Sequence, residues 1–80
     1  MITKDYKYKS KEDTEPDIDN IFDYMVKNKI DMQDYRITRY RLLNDSIWVM
    51  RVSLGIRIQY RTGIIPDIEA LLKNNIKEVT

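Results

Sequence analysis

Two spacings of hydrophobic residues divide the chain into a helical part and a strand part. Residues 18–30 place apolar side chains three or four positions apart, which is the spacing of one helix face. These positions are Ile18, Ile21, Phe22, Met25, Val26 and Ile30. Thr14 is the expected N-cap, and Pro16 falls in the expected first turn. The sequence therefore predicts a helix that begins after Thr14 and buries one face.

The hydrophobic spacing changes to two in the middle of the chain. Every even-numbered position from 48 to 60 is apolar: Trp48, Met50, Val52, Leu54, Ile56, Ile58 and Tyr60. This alternation predicts a strand over residues 47–61, with Gly55 marking a bend, a bulge or a turn. Residues 35–43 are the expected preceding strand, joined to it by a turn at Asn44–Ser46. A helix over residues 33–43 is the alternative.

The two ends of the chain complete the predicted order of elements. Residues 2–9 alternate weakly, and an edge strand or a flexible tail both fit residues 1–13. Pro66 opens a final predicted helix with apolar residues at Ile68, Leu71, Leu72 and Ile76. The predicted fold is α+β: helix, two- or three-stranded antiparallel sheet, helix, with the helices packed on one sheet face. Residues 1–80 are expected to form a single small domain.

Composition narrows the chemistry that the chain can perform. There is no Cys and no His, which excludes disulfides and Cys/His zinc sites. The general base and nucleophile roles would fall to Asp, Glu, Lys, Ser or Tyr, and no carboxylate pair has an evident partner. The two glycines, Gly55 and Gly63, do not form a phosphate-binding loop. We therefore expect a protein that is not an enzyme and holds no cofactor or metal.

Composition also bears on location and source. The longest uncharged stretches are about five residues, too short to cross a membrane, and residues 1–15 contain no apolar signal-peptide region. These features predict a cytoplasmic protein that does not enter a membrane. Abundant Ile, Lys, Asp and Tyr with a single alanine is typical of AT-rich coding sequences, which are common among phages and viruses.

Charge is strongly segregated along the chain, although the formal net charge is only +1. Residues 35–66 hold all six arginines and one acid, Asp45, which gives this stretch a net charge of +5. Residues 1–34 hold six lysines and nine acids, a net charge of −3. Such segregation creates a local surface potential that the net charge does not report. The pattern predicts a basic binding face.

The strand register decides which way the arginines point. A three-residue turn at Asn44–Ser46 pairs Tyr40 with Met50 on the core side and Arg39 with Arg51 on the solvent side. A two-residue turn would instead place Arg39 and Arg41 among the core residues, and burying unpaired arginines costs several kcal/mol. We therefore favour the three-residue turn. The like-charged pair Arg39–Arg51 would be relieved by a bound anion or by a carboxylate from elsewhere in the fold.

This register predicts a basic sheet face as the binding site. Its members are Arg39, Arg41, Arg51, Arg57, Gln59 and Arg61, with Tyr35 at one end. Arginine pairs bidentately with phosphate and with carboxylate, so nucleic acid and an acidic protein surface are the candidate partners. Tyr35 could also stack on a base. An ordinary solvated sheet face is the alternative without function, but such faces usually mix signs.

The leading functional hypothesis is a small non-enzymatic regulatory protein that docks a polyanion, most simply nucleic acid, on this face. The alternative is a protein-binding inhibitor or adaptor of the phage or viral host-takeover or anti-defence type. A homodimer is also expected, because a small domain without disulfide or metal gains stability by association. The long strand 47–61 would offer an open edge for such pairing.

Overall fold

The computed structural model describes residues 1–43 and 46–77. Its centre is one antiparallel sheet of three strands, β1 (Ile2–Tyr8), β2 (Tyr35–Arg41) and β3 (Trp48–Leu54), in the order β1-β3-β2. The N-terminal segment is thus a strand, and β3 is central with a neighbour on each side. The predicted turn at Asn44–Ser46 falls mainly on residues 44 and 45, which lie outside the described residues.

Two helices and two short 3₁₀ segments accompany the sheet. Helix α1 (Lys11–Lys27) follows β1, and helix α2 (Arg57–Thr62) follows β3. A 3₁₀ turn, Met32–Asp34, leads into β2, and a final 3₁₀ helix covers Ile68–Leu71. The predicted α+β class with a helix, an antiparallel sheet and a helix is confirmed. In place of the final predicted helix with its apolar stripe to Ile76, only the 3₁₀ helix Ile68–Leu71 forms, and residues 72–77 are not helical.

Helix α1 begins one turn earlier than predicted. Ser10 is the N-cap, and its side chain accepts a hydrogen bond from the backbone N–H of Asp13 at 3.2 Å. The prediction of Thr14 as the cap is wrong, because Thr14 is fully buried inside the helix and donates its hydroxyl to the Lys11 carbonyl. Pro16 consequently lies inside the helix rather than in its first turn.

The core lies on one face of the sheet, beneath the helices. The sheet contributes five buried side chains to one hydrophobic cluster, Tyr6, Tyr8, Met50, Val52 and Leu54. Helix α1, the segment that follows it and the segments after β3 contribute six more, Ile21, Met25, Ile30, Ile58, Ile68 and Leu72. All five sheet residues have even numbers in β1 and β3, so they project to the same side. Within the described residues, the other sheet face carries no helix.

The predicted strand 47–61 ends at Leu54. The chain turns at Gly55, whose N–H donates to the Asp34 carbonyl at 2.7 Å, and residues 57–62 are helical. Of the three apolar residues beyond Gly55 that continued the alternation, only Ile58 is buried, whereas Ile56 and Tyr60 are 63% and 84% exposed. Helix α2 ends at Thr62, and its C-cap residue, Gly63, adopts a left-handed conformation with φ of 77°.

Candidate functional site

The predicted basic face does not form, because β2 pairs with β3 in the other register. Arg39 lies opposite Met50 and Arg41 opposite Trp48, so both arginines lie on the sheet face that packs against the helices. Thr38, rather than Arg39, lies opposite Arg51. The prediction of the three-residue-turn register is wrong, because it assumed that arginines on the core side would be buried and unpaired.

Arg39 shows why the core-side register is tolerated. Because β2 is at the edge of the sheet, its long side chains can extend past the core to water. The Arg39 side chain is 29% exposed, and its Nη1 donates to Thr14 Oγ1 at 3.1 Å. The same nitrogen lies 4.0 Å from a carboxylate oxygen of Glu15. The guanidinium therefore has polar partners at the rim of the core.

Arg51 is the only residue of the predicted site on the sheet face that lacks helices, and it is paired with an acid there. Its Nε donates to Asp5 Oδ1 at 2.8 Å, and its Nη2 donates to Asp5 Oδ2 at 3.0 Å. Arg51 also lies over the Tyr40 ring, with its Cζ 5.3 Å from the ring centroid. The bidentate bond from Arg51 lowers the pKa of Asp5. The expectation of an acid-free arginine face is therefore wrong.

The other three polar members of the predicted site belong to α2 rather than to a strand. Arg57 and Gln59 are exposed. Arg61 Nη1 lies 3.3 Å from Asp34 Oδ2 and 3.7 Å from Asp31 Oδ2. Since Asp34 is buried apart from 7% of its surface, Arg61 compensates a carboxylate that would otherwise be poorly solvated. Arg61 thus has a structural role at the start of β2.

Tyr35 begins β2 and is half-buried against α1. Its ring centroid lies 6.1 Å from that of Phe22, with the ring planes tilted by 55°. This arrangement occupies part of the ring surface that a stacked base would need. Phe22 itself is 43% exposed, so the two rings form a partly open aromatic contact between α1 and β2.

Sequence reasoning left Arg36 out of the site, although Arg36 lies on the helix-free face of β2, opposite Ser53. Arg36, Arg41 and Arg57 are exposed and form no ion pair within residues 1–43 and 46–77. The strand β2 therefore presents Arg36 on one side and Arg41 on the other. Arg36 occupies an even position, like Thr38 and Tyr40. Only the correct register shows that the even positions of β2 lie on the helix-free face.

A shallow cavity adjoins the start of β2 on the same side as Arg36. Its volume is about 380 Å³, and Met32, Tyr35, Arg36, Ser53 and Gly55 contribute to its lining. Within the described part of the chain, no group of three or more carboxylates is placed to hold a metal ion. None of the described helices is both long and apolar enough to cross a membrane.

Comparison with protein-family models, with curated proteins and with solved structures gives no match for this chain. The candidate site therefore rests on its own geometry. It consists of the β2 edge strand with Arg36 and Arg41, flanked by Phe22 of α1, which contacts Tyr35. We call this set of residues the β2 edge site.

Proposed function

We propose that this chain is a small non-enzymatic binding protein, of the inhibitor or adaptor type, whose partner is an acidic protein surface. The single observation that carries the proposal is the composition and position of β2. This strand carries three arginines and no acid, and it lies at the edge of the sheet. An edge strand exposes backbone donors and acceptors as well as side chains, so a protein partner can use both.

Nucleic acid is less well supported than the sequence indicated. A phosphate backbone needs several cations aligned along one surface. Here Arg51 is bonded to Asp5, Arg61 is bonded to Asp34, and Arg39 is bonded to Thr14. The remaining exposed arginines are distributed over two sides of β2 and over α2. A protein surface with scattered carboxylates fits this distribution better than a regular row of phosphates.

The proposal is tested by charge reversal at the β2 edge site. The probes are a fluorescent peptide that alternates glutamate with valine and a fluorescent DNA duplex, measured by anisotropy over a range of salt concentrations. Arg36→Glu with Arg41→Glu should abolish peptide binding, because the β2 edge would then carry negative charge on both sides and repel the acidic peptide. Lys27→Glu with Lys77→Glu makes the same change in net charge at exposed lysines outside β2, and this variant should still bind.

Each outcome of this comparison decides between partners. Peptide binding that is lost in the arginine variant and kept in the lysine variant supports an acidic protein partner. Binding of the duplex alone, with log K falling against log salt at a slope of about −3 for three phosphate contacts, would restore the nucleic-acid hypothesis. An equal loss in both variants would show that net charge, rather than the β2 edge site, governs binding and would defeat the proposal.

A further inference from the structure

We infer that the acidic partner docks as an extended segment that pairs with β2 and becomes the fourth strand of the sheet. This inference rests on the proposed function and specifies how the partner is held. Strand addition supplies backbone hydrogen bonds in a regular row, and side chains on alternate sides supply the specificity.

The backbone of β2 has an unused hydrogen-bonding side. Gly55 N–H donates to the Asp34 carbonyl at 2.7 Å, and Leu42 N–H donates to the Ile47 carbonyl at 3.0 Å. These bonds fix the two ends of the ladder between β2 and β3. In an antiparallel ladder, alternate residues bond to the neighbour and the residues between them point away. Even-numbered residues of β2 therefore bond to β3, and the backbone groups of Tyr35, Ile37, Arg39 and Arg41 point outward.

The opposite edge of the sheet is less accessible. Ile76 N–H donates to the carbonyl of Lys7 in β1 at 2.7 Å, so the C-terminal segment already occupies part of that edge. No comparable backbone bond reaches the outward groups of β2 from residues 1–43 or 46–77. Of the two edges, β2 is therefore the one on which a partner strand can lie.

The side chains around β2 specify an alternating partner. On the helix side, Ile37 is half-buried. Phe22 of α1 contacts Tyr35 at the start of the strand, and 43% of its surface is exposed. Apolar side chains of an added strand would cover these two residues. On the other side, Arg36 is exposed and would meet a carboxylate. A segment in which acidic and apolar residues alternate matches Ile37 on the helix side and Arg36 on the other side. Arg41, exposed on the helix side, adds a general attraction for an acidic segment.

A second copy of this chain fits the edge poorly. Pairing β2 with its own copy would bring two sets of three arginines into adjacent strands that contain no acid. Like charges on neighbouring strands are unfavourable, and natural edge strands use them to prevent self-pairing. The same arginines attract an acidic strand, so charge selects a different partner over a second copy.

Amide hydrogen exchange measured by NMR tests the inference residue by residue. The probe is the capped glutamate–valine peptide, seven residues long to match β2. On binding, the amides of Ile37 and Arg39 should become protected, whereas that of Thr38 is already bonded to β3 and should change little. Protection that is absent from Ile37 and Arg39 while the peptide still binds would overturn strand addition and leave the proposed function intact.

Backbone methylation of the peptide provides a second measurement. N-methyl groups on one set of alternate residues remove the donors that face β2, and affinity should fall by more than about tenfold. N-methyl groups on the other set face solvent and should leave affinity within about twofold, provided that the extended conformation is kept. Equal effects of the two methylation patterns would overturn the inference. Failure of the unmethylated peptide to bind would overturn the proposed function as well.

Discussion

Asp17 joins three separate parts of the chain through one buried carboxylate. Its Oδ2 accepts from the hydroxyl of Tyr8 at 2.8 Å and from the backbone N–H of Asn74 at 3.1 Å, and its Oδ1 accepts from Lys73 N–H at 2.9 Å. The residue is fully buried. A buried carboxylate is tolerated when donors surround it, and here the donors come from β1 and the C-terminal segment. Asp17 therefore fixes the C-terminal segment against α1 and β1.

Replacing this carboxylate by an amide of the same shape should be costly. Asp17→Asn keeps one acceptor oxygen and turns an NH₂ group toward donors, so at least one buried donor loses its acceptor. We expect a loss of about 2–3 kcal/mol in the free energy of unfolding, measured by urea denaturation. Asp19→Asn changes an exposed acid of the same helix and should cost less than about 0.5 kcal/mol. Equal stability of the two variants would contradict the role given to Asp17.

At the scale of the elements, β1 and β3 are joined by a charged pair on the helix-free face. Asp5 lies directly opposite Arg51, whose guanidinium lowers the pKa of the Asp5 carboxyl. A carboxyl whose folded pKa is depressed stabilises the fold above its unfolded pKa of about 3.9. That contribution is lost as the pH falls through the lower folded pKa.

The pair predicts part of the acid sensitivity of the protein. Asp5→Asn removes the carboxylate at every pH, so its free energy of unfolding should fall less than that of the wild type as the pH drops below about 4. Arg51→Gln should also make the free energy of unfolding depend less on pH in this acidic range, because Asp5 then loses the cause of its low pKa. Denaturation at a series of pH values measures both effects. A double variant whose free energy of unfolding depends less on pH than that of either single variant would show that the two residues act independently.

The hydrophobic spacing allowed most elements to be predicted, but their ends and the register required information about the sheet. The burial of Ile21 and Met25 follows the predicted helix stripe, and β3 follows the predicted alternation as far as Leu54. Beyond Gly55, Ile56 and Tyr60 continue the alternation but are exposed, so spacing alone could not reveal the start of α2.

The candidate site was harder to predict than the fold. The predicted register of β2 depended on whether an arginine beside the core would be buried. Burial depends in turn on whether β2 is an edge strand. Arg39 reaches Thr14 and Glu15 because β2 is an edge strand of the sheet that the described residues form. The acid that pairs with Arg51 comes from Asp5, in a segment whose strand character the sequence left open. Pairing between distant segments therefore determined which arginines remained exposed.

At the scale of the whole molecule, the segregated charges largely meet one another in the fold. The acidic N-terminal part supplies Asp5, Glu15, Asp31 and Asp34 to arginines of the basic middle part. The segregation seen in the sequence is thus partly intramolecular pairing. Among the described residues, it leaves Arg36 and Arg41 of β2 and Arg57 of α2 without an ion pair, and the two on β2 support the proposed binding role.

The exposed arginines of β2 also affect self-association. The homodimer expected from the sequence rested in part on an open edge of strand 47–61, but β3 is central and has no open edge. With like charges along the exposed edge of β2, we expect a monomer with a mass near 9.7 kDa at low ionic strength. Light scattering coupled to size exclusion, at two well-separated concentrations, measures this. A dimer at both concentrations would contradict this prediction.

Removing the edge charges should reveal the pairing that they prevent. Arg36→Gln with Arg41→Gln leaves Arg39 as the only charge on β2, and Arg39 is already engaged by Thr14. An uncharged, accessible edge pairs readily with another edge, so this variant should show a mass that rises with concentration. Lys27→Gln with Lys77→Gln removes the same charge from other exposed positions and should remain a monomer. If both variants associate equally, net charge alone keeps the chains apart, whereas association of the arginine variant alone identifies β2 as a protected edge.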